Sequence, residues 1–245
     1  MPGPVHRAAG GARDSLDPVS DPAEPSSDPR PASAGSAYLV VPDDGPGHGV
    51  LVLHSWWGLT PAAKAIVEAL ADAGYTAMAP DLLDGALPTD GDQARDVLAE
   101  SDPNETAALV LSSIVALRAH SADPAGPVAV LGFSMGASWA LWVATRQPDS
   151  VDAVVAYYGV QNIDFEALRA PVLGHFAETD PLVTDDELVE MQAHLLLLDK
   201  HVEVHHYPGT GHWFAEADHP EHHDEEAAAL AWERTLEFLA AHTEG

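Results

Sequence analysis

The chain has 245 residues, of which 46% are hydrophobic, and a formal charge of −29 at neutral pH. Such a length supplies one domain of about 200 residues with a sizeable core, and so negative a charge excludes nucleic acid and anionic membrane surfaces as partners. Cysteine is absent, which rules out disulfides and a thiol nucleophile.

Residues 1–36 are rich in Pro, Ala, Ser, Gly and Asp and almost free of large apolar side chains. A segment of that kind buries too little surface to offset its ordering entropy, so it is expected to be disordered. It has neither the apolar stretch of a signal peptide nor a twin arginine, and no run in the chain is long and apolar enough to span a bilayer. The expected location is the cytoplasm, and the expected globular domain is 37–245.

The first strand expected is Ala37 to Val41, ended by Pro42 and an Asp-Asp-Gly-Pro-Gly turn. Gly49 to His54 is a second, apolar almost throughout, as befits a strand covered on both faces. Ser55-Trp56-Trp57-Gly58-Leu59 follows as a loop. Thr60-Pro61 then gives the N-cap and first residue of a helix that runs to Gly74. Thr76 to Pro80 is the next strand, with Asp81 opening the loop after it. Asp90 to His120 is helical in two pieces, broken near Asp102-Pro103, the second carrying Ala107, Val110, Leu111, Ile114 and Leu117 on one face.

Val128-Ala129-Val130-Leu131 reads as a short buried strand, and Gly132-Phe133-Ser134-Met135-Gly136 leads from it into a helix with Ala137, Ala140, Leu141 and Ala144 on one side. A serine at the apex of so sharp a turn sits in a strained backbone, and side chains at 132 and 136 would collide with the neighbouring strand and helix. The turn lifts the hydroxyl above the helix N-terminus, where free N–H groups can receive a developing oxyanion. Beyond it come strands at Val151 to Tyr157 and Ala170 to Phe176, a helix from Asp185 to Leu198, a strand from Val202 to Tyr207, and a last helix from Asp224 to Ala241. Alternation of strands and helices predicts an α/β domain with helices on both faces of a mainly parallel sheet.

In such sheets the working groups lie just beyond the carboxyl ends of strands. Those positions hold Ser55, Trp56, Asp81, Ser134, Tyr158, Asp180 and His212. Ser134, Asp180 and His212 stand in the chain order of an α/β-hydrolase triad. A serine hydroxyl needs an imidazole to take its proton, and the imidazole needs a carboxylate to fix its tautomer. Taken singly, Asp180 beside Pro181 also suits a turn and His212 a surface loop, with Glu178 and Asp185 as other acids nearby.

From Tyr38 to Leu239 the chain resembles the dienelactone hydrolase family of α/β-hydrolases. The resemblance is carried by Leu53-His54-Ser55-Trp56-Trp57-Gly58-Leu59, the strand from Gly74-Tyr75 to Ala79-Pro80-Asp81-Leu82, and Gly132-Phe133-Ser134-Met135-Gly136. Ala156-Tyr157-Tyr158-Gly159, Glu178-Thr179-Asp180-Pro181 and Gly209-Thr210-Gly211-His212-Trp213-Phe214 complete it. It implies a three-layer α/β-hydrolase fold, with Ser134 as nucleophile, His212 as base, Asp180 as its orienting acid, and the N–H groups of Trp56 and Met135 as oxyanion donors. It implies no cofactor and no metal, and a small ester or lactone substrate. The family's best-known members carry cysteine at the position of Ser134, glutamate at that of Ser55, and a substrate-binding arginine at that of Glu216. Read this way, Glu216 repels an anionic substrate, with Arg95 and Arg118 as possible replacements for the missing cation.

Ser55, Trp57, Tyr158, Trp213 and Glu216 are the candidate pocket residues. Trp56, Trp57 and Trp213 serve equally well as pocket walls or as core, and Asp81 suits a loop cap better than chemistry. The histidines at 205, 206, 219, 222 and 223 raise the question of a metal, but the first two point to opposite strand faces and the others open a solvated helix. The reaction expected is hydrolysis of a small ester or lactone through an acyl-enzyme. A thioesterase, a short-peptide hydrolase, or a retired hydrolase that binds small molecules are the alternatives.

Overall fold

A computed structural model describes residues 36–243. The expectation of disorder over 1–36 therefore lies outside the described residues, apart from Ser36. That residue belongs to the folded body: the Asp81 N–H donates to its carbonyl at 2.8 Å and its hydroxyl donates to Asp81 Oδ2 at 3.2 Å.

The elements follow in the order β1 (Ala37–Val40), β2 (Gly49–Leu53), α1 (Pro61–Asp72), β3 (Thr76–Pro80), α2 (Gly91–Glu100), α3 (Pro103–Arg118), β4 (Val128–Phe133), α4 (Met135–Arg146), β5 (Val151–Tyr157), β6 (Val172–Thr179), α5 (Asp185–Leu197), β7 (Val202–Gly211) and α6 (Glu225–Thr243). The strands form one seven-stranded sheet ordered β1-β3-β2-β4-β5-β6-β7, and only the edge strand β1 runs antiparallel to its neighbour. This is the α/β-hydrolase type of fold. Winding proceeds outward from β2 in one direction and from β4 in the other, so the crevice between their carboxyl ends is the switch point at which such sheets bind ligands.

Strand alternation sorts the side chains into two cores. Val50 and Val52 of β2 face a cluster that includes Val67 and Leu70 of α1 and Phe238 and Leu239 of α6. Leu51 and Leu53 face the other, with Ile114 and Leu117 of α3, Leu141 of α4 and Leu195 of α5. Every residue of β2 and β4 is buried, which is why both read as unbroken apolar runs.

The helix starts follow local chemistry. Thr60 caps α1 by accepting from the Ala63 N–H at 3.2 Å, with Pro61 at the first position. Asp102 caps α3 by accepting from the Asn104 N–H at 2.8 Å, and this cap followed by Pro103 is what divides the 90–120 region into two helices. Each such cap contributes about 1 kcal/mol.

Two strands depart from expectation. β6 starts at Val172 rather than Ala170, because Pro171 has no N–H to give the ladder. β7 does not stop at Tyr207. Pro208-Gly209 reads as a terminator, yet a register shift near Ala177 absorbs it, Gly209 takes φ +78°, and its N–H donates to Glu178 Oε2 at 2.8 Å. Pairing then resumes with Thr179 opposite Gly211. That extension sets the residues after this pair, Asp180 and His212, side by side.

Beneath the sheet a buried polar chain ties β5, β6 and β7 to α6. The Thr235 hydroxyl lies 2.7 Å from the Tyr157 hydroxyl and 3.1 Å from His175 Nε2, and His175 Nδ1 lies 2.7 Å from the Tyr207 hydroxyl. Burial above all, with lesser contributions from His205 and Arg234, pushes the His175 pKa down to about 3. Because the folded value lies below the unfolded one, stability from this group is present above about pH 6.5 and is lost as the pH falls toward 3. Thr235→Val strands the Tyr157 hydroxyl and one ring nitrogen. A loss of about 1–3 kcal/mol is expected, read as a shift in the midpoint of urea unfolding at unchanged slope.

Candidate active site

Ser134 lies between the end of β4 and the start of α4 with φ +52° and ψ −114°, a conformation that L side chains rarely adopt. Three glycines allow the surroundings to close on it. A Cβ on Gly132 would lie 2.3 Å from the Gly136 carbonyl oxygen, one on Gly136 would lie 2.0 Å from the Leu53 carbonyl oxygen, and one on Gly159 would lie 2.5 Å from the Ser134 carbonyl oxygen. The expected steric reason for the two motif glycines is therefore met, and Gly159 is a third that the motif did not include.

The Ser134 hydroxyl donates to His212 Nε2 at 2.7 Å, and His212 Nδ1–H donates to Asp180 Oδ2 at 2.6 Å. Asp180 is oriented by its own loop: its Oδ1 accepts from the N–H groups of Leu182 and Val183 at 2.8 and 3.0 Å, which leaves Oδ2 for the imidazole. The side chains of His212 and Asp180 are nearly enclosed, at 1% and 7% exposure. Glu178 instead turns to Gly209, and Asp185 lies in the first turn of α5.

Facing Ser134 across the switch point is the loop after β2. The Ser55 hydroxyl oxygen accepts from the Trp57 N–H at 3.3 Å and the Ser55 carbonyl from the Gly58 N–H at 3.2 Å. Among the described residues no acceptor takes the Trp56 N–H, and Met135, as the first residue of α4, has no acceptor within its helix. His54 anchors this loop, a role that sequence reasoning missed. Its Nε2 accepts from the Leu82 N–H at 2.9 Å, so its Nδ1 carries the hydrogen given to the Ser55 carbonyl at 2.7 Å. Burial lowers its pKa, against the smaller opposing effects of Ser55 and Asp81, and keeps the ring neutral. Asp81 is a loop cap, accepting from the N–H groups of Leu83 and Gly85.

Glu216 is buried, with Oε2 accepting from the Ser55 hydroxyl at 2.6 Å and Oε1 from the Tyr158 hydroxyl at 3.1 Å. Burial pushes its pKa up to about 7, while the two hydroxyls oppose the shift. The Tyr158 hydroxyl moves well above its ordinary value, through burial first and Glu216 second, and so stays a donor. Tyr158 itself has φ +38°, and its ring centroid lies 4.9 Å from that of His212.

The tryptophans at 56, 57 and 213 are buried against one another, each pair of ring centroids 5.4 Å apart, and belong to the core on the α1 and α6 side. His219 stacks on Trp57, and the His222 ring meets that of Trp213 at a tilt. Among the described residues no group of three His, Asp or Glu is arranged to hold a metal, and no helix is long and apolar enough to cross a membrane. Of the two arginines considered for an anionic substrate, Arg118 reaches the Ser150 carbonyl at the opposite end of the sheet, whereas Arg95 lies over the Trp56 ring, paired with Asp92.

The fold and this arrangement define an α/β-hydrolase. The dienelactone hydrolase family model matches residues 36–243, and the chain belongs to that family. It is 30% identical to Protein usf of Aquifex pyrophilus, over 82% of this chain and 91% of the relative. Carboxymethylenebutenolidase 1 of Cupriavidus pinatubonensis is likewise 30% identical, over 83% of this chain and 90% of its own. The crystal structure of a putative dienelactone hydrolase from Klebsiella pneumoniae superposes with a TM-score of 0.75 at 25% identity, covering 83% of this chain and 92% of that one.

The close approach at Ser134 has a direct test. Gly136→Ala is expected to destabilise the protein by about 1–3 kcal/mol, because the atom it meets is backbone and cannot swing away. Gly91→Ala is the control. Its nearest neighbours stand 3.7 Å or more from the added carbon, so it should leave the urea midpoint unchanged or raise it slightly.

Proposed function

We propose that this ester hydrolase cleaves small carboxylic esters or lactones with Ser134 as nucleophile, through an acyl-enzyme, in the cytoplasm and without a cofactor. The observation that carries the reading is the unbroken relay from Ser134 Oγ through His212 to Asp180, built from the ends of separate strands at the switch point. The family and the names of the relatives support the reaction class.

The steps follow from the geometry. Ser134 Oγ attacks the ester carbonyl as His212 Nε2 takes its proton, and Asp180 holds the imidazole in the tautomer with hydrogen on Nδ1 and stabilises the imidazolium. The carbonyl oxygen becomes an oxyanion received by the N–H groups of Met135 and Trp56. Collapse expels the alcohol, which takes the proton from His212. Water then attacks the acyl-enzyme, gives its proton to His212, and the acid leaves as Ser134 Oγ recovers that proton.

Ser134→Ala and His212→Ala are each expected to abolish nearly all turnover of a p-nitrophenyl ester, and the double variant to lose little more, since the pair acts as a unit. Asp180→Asn should cost about 10⁴-fold in kcat. A fluorophosphonate should label Ser134 and no other serine, as read by peptide mass. Multiplicative losses in the double variant, or an unlabelled Ser134, overturn the mechanism.

Neutral substrates are expected. Among the described residues no lysine or arginine contacts Ser55, Ser134, Tyr158, His212 or Glu216, and the chain carries −29 overall. A neutral ester should exceed its carboxylate-bearing analogue by about tenfold in kcat/KM at low ionic strength, the ratio shrinking as salt is added. Preference for the anion would refute this.

A further inference from the structure

Glu216 takes no part in the steps above, yet it holds side chains from two other strand ends of the site, Ser55 and Tyr158. It lies four residues beyond His212 on the loop after β7. Its carboxylate bonds Ser55, whose own atoms hold the N–H groups of Trp57 and Gly58 and so shape the turn that presents the Trp56 N–H. The other oxygen bonds Tyr158, whose ring lies against His212.

We infer that Glu216 is a positioning residue whose ionised form locks the Ser55–Gly58 turn and the Tyr158 ring in place, and whose protonation loosens that lock by leaving one of the two hydroxyls without its acceptor. This rests on the serine-hydrolase reading.

The argument is a count of hydrogens. Ionised, Glu216 offers two acceptor oxygens to two hydroxyl donors, and both contacts are charge-assisted. Protonated, the set holds three hydrogens for the same two contacts. Ser55 Oγ and the Tyr158 hydroxyl can each accept from the carboxylic acid, but whichever does so turns its own hydrogen away from Glu216. One hydroxyl then lacks its acceptor in a buried site. Burial places this change within the working range of pH, its midpoint pushed up to about 7.

The surrounding charges are few. Asp218 raises the value further, Asp180 acts on Tyr158 from the β6 side, and His212 meets the Tyr158 ring. The His219 N–H bonds the Glu216 carbonyl, and His54, behind Ser55, stays neutral. The charge on Glu216 itself has a small direct effect on the barrier. Attack creates an oxyanion and an imidazolium together, and a nearby carboxylate opposes one while favouring the other. Position therefore decides, and the ionised form is the active one.

The test is the pH dependence of kcat/KM for a neutral p-nitrophenyl ester in wild type, Glu216→Gln, Ser55→Ala and the double variant, with fluorophosphonate labelling of Ser134 in parallel. On the acid side wild type should require two deprotonations, with a limiting slope near 2 on the logarithmic plot. Glu216→Gln should require one, with a slope near 1, and should lose about tenfold on the alkaline plateau, the worth of one charge-assisted contact. Ser55→Ala removes the contact to the loop but keeps the buried carboxyl, whose titration moves further up once that donor is gone; it should lose a similar amount on the plateau and should add little to Glu216→Gln. Glu216→Asp should restore the second ionisation. A Glu216→Gln profile that superposes on wild type, or losses from the two variants that multiply, overturns the inference. If Ser134 labels normally in that case, the serine mechanism survives it; if wild-type Ser134 does not label, the mechanism falls and takes this inference with it.

Discussion

The first turn of α4 runs so close to the end of β2 that a Cβ on Gly136 would lie 2.0 Å from the Leu53 carbonyl oxygen. That approach constrains the rest of the site. It presses the N-terminus of α4 against the loop that carries Ser55 and Trp56, so the orphan N–H groups of a helix start and of a tight turn converge from two elements. It also leaves Ser134 no room for a relaxed conformation. The residue stays at φ +52° because β4, α4 and Gly159 hold it from three sides. A strained nucleophile turn is stable only in a rigid setting, and this one follows β4, which is buried throughout and pairs with the equally buried β2.

Much of this was legible in the chain. Continuous apolar runs marked β2 and β4 because strands covered on both faces have no polar side. Caps marked α1 and α3 because Thr60-Pro61 and Asp102-Pro103 satisfy helix starts with local atoms alone. Ser134, Asp180 and His212 were legible because strand ends are legible, and the fold brings strand ends together. What stayed hidden depends on partners remote in sequence. The extension of β7 past Pro208-Gly209 exists because Glu178 and Thr179 of β6 reach across to support it, so a local reading of that dipeptide stops the strand too soon. His54 and His175 gave no signal, being single polar residues at the end of or within apolar strands; the Leu82 N–H that His54 accepts lies 28 residues away, and the Tyr207 and Thr235 partners of His175 lie 32 and 60 away. The glycine at 159 could have been found from its place directly after a strand end, where backbone must pass close to the nucleophile turn.

The charge of the molecule bears on the site differently from its bulk value. A surface at −29 disfavours anionic ligands at long range, an effect that salt screens within about 8 Å at physiological ionic strength. Inside, the titratable groups around Ser134 are few and are governed by burial. His54 and His175 are held neutral, and the Tyr158 hydroxyl keeps its proton. Glu216 is left near its midpoint at neutral pH, since two hydroxyl donors offset part of its desolvation.

The resemblance to the family's best-known members contains two departures that look separate in sequence, serine for glutamate at 55 and glutamate for arginine at 216. In the fold these positions touch, at 2.6 Å. The two departures therefore meet in a single contact, a hydroxyl on the β2 loop facing a carboxylate on the loop that also carries His212. An ion pair would hold both partners charged over a wide range of pH, whereas a carboxylate whose donors are neutral hydroxyls in a buried site titrates where its burial places it. With Ser55 and Tyr158 as its donors, the Glu216 carboxyl is pushed up to about 7 by burial.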